Sequence, residues 1–410
     1  MRILLPAALT ALLISTAAQA QNDRFAYAIT DAQKDGSAWT TLRLLDLQTG
    51  AYGPALFNGL DARITAYDAA TRKPLNPSAR PEDALLQNPF GNGVAAAAYD
   101  RKHHRLYFTP MFVDQLRYID LRTMKLYAVT GQPLTKLGHA HNDEAKIITR
   151  MAIGADGYGY ALSNDGQTFV RFSTGKKPEI TALGALVDDP ANKGISVQNR
   201  CTSFGGDMIA DEDGNLLIFS ARNNVFLVDP KTRIATHKGT LQGLPKDFTV
   251  NGAVVDAGGL LVVSSAVDGS AFYAVNPRDW QAEPYMHLGA VYKSSDLANS
   301  NILSYNQNPV TQINTIAQPG AKAPSIRIFP NPVTTGQFTL DFARAETGLY
   351  SLELTDITGR TVLQRRLTVN GETPAQRISL PPGYAKGVYL VKVTPAAGTK
   401  SVFEQKVMIQ

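Results

Sequence analysis

From about Gln21 to Asn306 apolar residues fall in short runs, each closed by an Asp-Gly, Asn-Asp-Gly or Gly-Gly turn. This is the pattern of short β-strands joined by tight hairpins. No stretch keeps a 3.6-residue apolar period, so an all-β fold is predicted. The runs also repeat. Gly93–Asp100, Arg150–Gly157, Asp207–Gly214, Gly252–Gly259 and, more faintly, Asp296–Asn301 each hold a small or polar start, an apolar run and a turn. Their first apolar residues, Val94, Met151, Met208, Ala253 and Leu297, are spaced by 57, 57, 45 and 44 residues.

Each repeat closes alike, on Tyr118-Ile119-Asp120-Leu121, Val170-Arg171-Phe172-Ser173, Phe226-Leu227-Val228-Asp229 and Tyr273-Ala274-Val275-Asn276. Leu44-Leu45-Asp46-Leu47 matches these at the front of the chain. Repeats of this length, with four strands each, have the size of β-propeller blades, whose sheets bury both faces only by packing on one another. The Ala- and Gly-rich first strand suits the crowded centre of the ring. The front segment, Phe25–Phe57, has outer strands but no inner one. The last repeat, near Asp296, has an inner strand and nothing after it. The two ends are therefore expected to build one blade together, which removes exposed sheet edges. Five blades are predicted, or six if Ala62–Leu86 adds strands of its own.

Residues 306–325 are rich in Pro, Gln, Asn and Ala without periodicity and read as a linker. Beyond them the alternation is clean. Phe338, Leu340 and Phe342 share one face, as do Tyr350, Leu352 and Leu354, and then Tyr389, Val391 and Val393. About seven short strands in residues 326–410 predict a small Ig-like β-sandwich.

Met1–Ala20 combine Arg2, an apolar run from Ile3 to Ile14 and Ala18-Gln19-Ala20, which together read as a signal peptide. No other apolar stretch is long enough to cross a bilayer, so the mature chain is expected to be soluble once released. The single cysteine, Cys201, excludes an internal disulfide and is expected to be a buried thiol. At 44% hydrophobic and 18% charged, the 410 residues have a globular composition with more than one core. The formal charge is +5, with Lys and Arg scattered along the sequence and no interleaved aromatics. This argues against a nucleic-acid surface and is compatible with weak attraction to anionic polysaccharide.

Residues 326–410 resemble the C-terminal sorting domain of the type IX secretion system. The resemblance rests on Pro330-Asn331-Pro332, Gly348-x-Tyr350, Asp356-x-x-Gly359-Arg360 and Gly387-x-Tyr389, in that order, behind a signal peptide. It implies recognition by the type IX machinery, passage across the outer membrane and removal of the domain by a sortase-like peptidase. Release, or attachment to surface lipopolysaccharide, would follow. Ala97–Met111 followed by Gln115–Leu121 resembles propeller proteins of Bacteroidetes that carry such tails. The expected organisation is a signal peptide (1–20), a propeller (21–305), a linker (306–325) and a sorting domain (326–410).

Candidate chemistry is sparse. If the repeats are blades, Gly93, Arg150, Asp207, Asn251 with Gly252, and Asp296 surround one mouth of the central channel. Arg150, Asp207, Asn251 and Asp296 could there hold an anionic ligand or a divalent cation such as Ca²⁺; strand-end capping is the favoured role. His139 and His141 could share a metal on a strand, yet no third ligand follows at a suitable spacing. Asp211-Glu212-Asp213-Gly214-Asn215 resembles a calcium loop but lacks the downstream Glu in register, and a hairpin turn is expected. Trp39, Trp280 and Tyr285 are expected to pack in cores or at blade edges, not to stack on sugars. No nucleophile elbow, P-loop, dinucleotide fingerprint or triad is present. The expected function is binding or scaffolding at the cell surface or outside the cell, without catalysis. The alternative is a metal-dependent hydrolase or lactonase using Asp207, Asn251 and Asp296; a third reading is a structural adhesin.

Overall fold

Four consecutive apolar residues, Leu216–Phe219, form one strand whose side chains serve two cores. Leu216 and Ile218 pack with Leu162, Phe169 and Phe226, whereas Leu217 and Phe219 pack with Val263 and Val275. The two-residue period of a strand sends alternate side chains to opposite faces, and here both faces are buried. Leu106, Tyr107 and Phe108 divide in the same way, as do Leu261, Val262 and Val263. Such strands need a neighbouring sheet on each side.

This computed structural model describes residues 23–76, 87–135, 142–285, 289–305, 326–329, 333–334, 336–342, 348–356, 360–369, 375–380, 384–395 and 403–409. The chain divides into two compact units, Met1–Ile316 and Ala317–Gln410. The signal-peptide residues, His139, His141, the linker, Pro330, Asn331, Pro332 and Gly359 lie outside the described residues.

In chain order the first unit opens with β1 (Phe25–Thr30), β2 (Thr41–Asp46), β3 (Ala51–Asn58) and β4 (Ala66–Asp68). There follow β5 (Val94–Asp100), β6 (Arg105–Pro110), β7 (Arg117–Asp120) and β8 (Lys125–Ala128), then β9 (Ile148–Ile153), β10 (Gly159–Ser163), β11 (Phe169–Phe172) and β12 (Ile180–Gly184). β13 (Val187–Asp188) precedes β14 (Asp207–Ala210), β15 (Leu216–Phe219), β16 (Asn224–Val228) and β17 (Ile234–Thr240). The unit ends with β18 (Gly252–Val255), β19 (Leu261–Ser264), β20 (Phe272–Val275), β21 (Ala282–Tyr285) and β22 (Ser294–Ala298).

Among the described residues these strands form five sheets: β4-β8-β7-β6-β5, β12-β11-β10-β9, β13-β17-β16-β15-β14, β18-β19-β20-β21 and β22-β1-β2-β3. The innermost strands neighbour one another in a closed circuit, β5 to β9, β14, β18, β22 and back to β5. Five apolar clusters fill the spaces between successive sheets. This is a β-propeller. Its last blade is made by both ends of the unit, as the repeat pattern predicts. β22 begins at Ser294, two residues before the repeat read from the sequence, because small polar residues extend it. Ser294 Oγ donates to Ser264 Oγ at 2.8 Å, and Ser295 Oγ donates to the Val94 carbonyl at 2.6 Å. Within 62–86, Ala66–Asp68 joins the first of these sheets as a parallel outermost strand beside β8.

After β22 the chain turns under the ring. Asn301 Nδ2 donates to the carbonyls of Asp23 and Val255, each at 2.8 Å. Leu303 is fully buried, and its N–H donates to the Ala210 carbonyl at 3.0 Å.

The second unit contains β23 (Arg327–Phe329), β24 (Gln337–Asp341), β25 (Gly348–Asp356), β26 (Thr361–Val369), β27 (Ala375–Ser379), β28 (Gly387–Pro395) and β29 (Phe403–Ile409). They form two sheets, β23-β24-β27 and β26-β25-β28-β29, over one core that includes Phe338, Leu340, Leu352, Leu354 and Val391. The predicted inward-facing residues are the buried ones.

Candidate functional site

Three of the polar residues singled out at the inner strands, Arg150, Asp207 and Asp296, lie buried inside the ring. Asp207 is the first residue of β14 and Asp296 the third of β22; both are fully buried. Gly206, at φ +98, leads into Asp207 through a backbone shape that suits glycine. Asp207 Oδ1 accepts from the Met208 N–H and Oδ2 from the Ala253 N–H, each at 2.6 Å. The second bond ties β14 to the neighbouring blade. Gly252 permits the close approach of β22 on its other side: a Cβ there would lie 2.5 Å from Ser264 Oγ and 2.8 Å from the Leu297 nitrogen.

No donor reaches either Asp296 oxygen in hydrogen-bond geometry. Its carboxyl lies within hydrogen-bonding reach of Asp207, and the Ala97 amide bears on it without completing a bond. Burial pushes both carboxyls well above the usual carboxylate range; at Asp296 the Asp207 charge adds to this, and at Asp207 the N–H groups of Met208 and Ala253 oppose it. Two carboxylates cannot both stay ionised at this separation in a dry interior. Asp207 has two backbone donors and Asp296 has none, so a proton kept by the pair is better placed on Asp296.

Arg150, the third residue of β9, is also fully buried. Its Nε donates to the Gly205 carbonyl at 3.1 Å and its NH1 to the Ser163 carbonyl at 3.0 Å, and its NH2 donates to the Ser203 carbonyl. Burial lowers its pKa to about 10, with the charges of Asp165 and Asp207 acting the other way. The guanidinium thus pins the loop before β14 to β9. Asn251 is half-buried and serves the fourth blade: its Oδ1 accepts from Thr249 Oγ1 at 2.6 Å and from the Ala266 N–H at 3.0 Å. The structure therefore brings Asp207 and Asp296 together with Arg150 near them, and engages Asn251 in its own loop. Among the described residues no three His, Cys, Asp or Glu side chains converge as a metal-binding group.

The remaining candidates read from the sequence resolve into structural roles where they are described. Asp211 Oδ1 accepts from the N–H groups of Asp213 and Asn215, so Asp211–Asn215 is a hairpin turn. Trp280 is buried, with Nε1 donating to the Lys238 carbonyl at 3.0 Å. Tyr285 Oη donates to the Leu47 carbonyl at 2.6 Å, and Trp39 packs beside Phe90 and Val94. Cys201 is exposed, which corrects the expectation of a buried thiol. It lies in the short helix Arg200–Ser203, capped by Asn199, and that turn directs Ser203 inward in its place. Ser294, which bonds Ser264 of β19, and Ser295, which joins the inner strands β22 and β5, are missing from the sequence candidates; the Ser-Ser pair at 294–295 is the signal that could have found them.

In the second unit the described motif residues have physical reasons. Tyr350 is buried with its ring 5.3 Å from that of Phe342. Asp356 accepts from the Arg360 N–H and Nε, each at 3.1 Å, and so closes a turn. Tyr389 Oη donates to the Ala385 carbonyl at 2.7 Å, and Gly387 takes φ +152. Nothing in the packing around Gly348 demands a glycine.

Fold and hub together define a β-propeller with a buried acid pair at its centre, followed by a β-sandwich. Residues 327–410 match the family described as the secretion system C-terminal sorting domain, so the chain ends in a sorting domain of that family. No curated protein matches the chain. Among solved structures it is similar to PorZ, an essential surface component of the type IX secretion system of Porphyromonas gingivalis, at 16% identity and a TM-score of 0.36, over 94% of this chain and 58% of that one. It is also similar to the extracellular domain of a one-component system from B. thetaiotaomicron, at 10% identity and a TM-score of 0.35, over 90% of this chain and 47% of that one. A third is virginiamycin B lyase from Staphylococcus aureus, at 9% identity and a TM-score of 0.31, over 90% and 91%. The chain spans about half the length of the first two. The sorting tail implies export across the outer membrane to the cell surface or the extracellular space. No helix among the described residues is long and apolar enough to cross a membrane.

Proposed function

We propose that this is a secreted or surface-attached propeller that works by binding or scaffolding, delivered by the type IX route through residues 327–410. One observation carries the reading: a sorting domain follows a separate propeller in which the central Asp207 and Arg150 are occupied with the protein's own backbone. Such a centre holds blades in register. The leader pattern at Met1–Ala20 supports export, and the expected partners are the type IX machinery and its sortase-like peptidase.

The test compares the full chain with one ending at residue 326 in a host that has the machinery. The full chain should reach the surface or the medium, and the shortened chain should stay folded in the periplasm. Equal export of both would overturn the reading.

One feature favours the alternative of a metal-dependent hydrolase or lactonase. The unpartnered oxygens of Asp296 could be satisfied by a divalent cation such as Ca²⁺ in place of a proton. Metal analysis of protein purified without added metal separates the two. A stoichiometric cation, lost in Asp296→Asn, would support the hydrolase.

A further inference from the structure

Lysine and arginine are scattered in the sequence, but the fold gathers several of them. In a propeller blade the turn between its first and second strands and the turn between its third and fourth lie on the same face. In the first described blade these turns are 101–104 and 121–124, and they touch: the Leu121 N–H donates to the His104 carbonyl at 2.9 Å. The next blade's turn, 173–179, is fastened to them. Arg105 NH1 donates to the carbonyls of Thr174 at 3.0 Å and Gly175 at 2.7 Å, and Tyr107 Oη donates to Thr174 at 3.1 Å. The turns therefore form one continuous surface across two blades.

Six exposed cations stand on it: Arg101, Lys102, Arg122, Lys125, Lys176 and Lys177. Five acids lie among them, yet with Arg105 and Arg171 counted the cations still outnumber them. Asp100 is buried against His103 Nδ1 at 2.6 Å, and Asp120 accepts from the N–H groups of Arg122 and Thr123. Asp156 and Glu179 are exposed, and Arg101 lies 3.6 Å from Asp23. The corresponding first turn of the β14–β15 hairpin carries Asp211, Glu212 and Asp213, so the face is polarised from one side to the other.

We propose that this basic turn face docks an anionic polysaccharide. The proposal rests on the binding reading above and names its partner class. Three observations select this partner. The cations lie on a continuous surface of turns, which suits a polymer with repeated charges. The nearby rings lie under cations, Tyr67 beneath Lys125 and Tyr118 beneath Arg105, so they are not open platforms on which bases could stack. The sorting domain sends the chain outside the cell, where charged glycans are the abundant polyanions.

The test uses the full mature chain, with soluble alginate and dextran sulfate as probes and neutral dextran as reference. Binding to both anionic polymers but not to dextran is expected, weakening roughly tenfold or more as salt rises several-fold. Lys102→Gln, Arg122→Gln, Lys176→Gln and Lys177→Gln together should cut affinity about tenfold with an unchanged melting temperature, since all four are exposed turn residues. Lys193→Gln, Arg222→Gln and Lys246→Gln, which remove exposed charges from the opposite face, should change it less than about twofold. Equal losses in the two sets, or no binding by the parent chain, would overturn the proposal. So would tighter binding of duplex DNA through the same four residues. The export comparison with the chain ending at residue 326 does not depend on these lysines, so either idea can fail alone.

Discussion

Asp296 is expected to give the propeller a pH-dependent stability. Its pKa and that of Asp207 are raised in the fold by burial, and an unfolded Asp titrates near 3.9. The folded chain therefore keeps a proton that the unfolded chain has released. The stabilisation is full below about pH 4 and is lost as pH rises through the folded value, at up to about 1.4 kcal/mol per unit. Urea midpoints between about pH 5 and about pH 9 should fall accordingly. Asp296→Asn supplies an amide N–H to Asp207 without a titrating proton, so its midpoint should be nearly flat over that range. Asp207→Ala strands the Asp296 proton and the Ala253 N–H, and should cost about 3 kcal/mol in the same assay. Arg150→Lys keeps the charge but cannot span three backbone carbonyls, and should cost about 2 kcal/mol. The sequence pointed to all three residues because polar side chains interrupt otherwise apolar or small strand starts. It did not show that they are sealed inside. A repeat indicates the radial layer a residue occupies, whereas burial depends on which atoms the other blades place opposite it.

At the scale of elements, the inner strands are legible because they must be narrow. Ala96, Ala97 and Ala98 are buried where neighbouring sheets converge, and the Ala/Gly run announces that crowding. Gly252→Ala places a methyl against Ser264 and the Leu297 backbone, a cost of about 1–3 kcal/mol that a denaturation midpoint would read. Less legible was β22, whose Ser-Ser start hid a strand that the apolar pattern placed two residues later. Polar side chains satisfied by other blades mimic loop residues in a linear reading. The basic turn face was invisible for a related reason. Its lysines and arginines are far apart in the chain, and a buried arginine, Arg105, brings the turns together.

For the molecule as a whole, the ring of described sheets closes before the tail begins. Among the described residues its last strand ends at Ala298, and the sorting domain match begins at 327. A chain ending at residue 326 should therefore keep the full chain's propeller melting transition, read by calorimetry, while losing surface delivery. Deleting Phe25–Thr30 should do the reverse damage, because it removes the strand that joins β22 to β2. Its loss should abolish cooperative unfolding.

The clasp between β1 and β22 also sets an order of events in time. Hydrogen bonds from Ser300 and Asn301 to Asp23 bridge 277 and 278 positions of sequence. A growing or threading polypeptide presents Phe25–Thr30 first and Ser294–Ala298 last, so the circle stays open until nearly all of this unit has emerged. Partial lengths can stack sheets, but none can lock. Helpers that shield half-finished sheets would be needed early, and their hold should lapse once the final strand arrives.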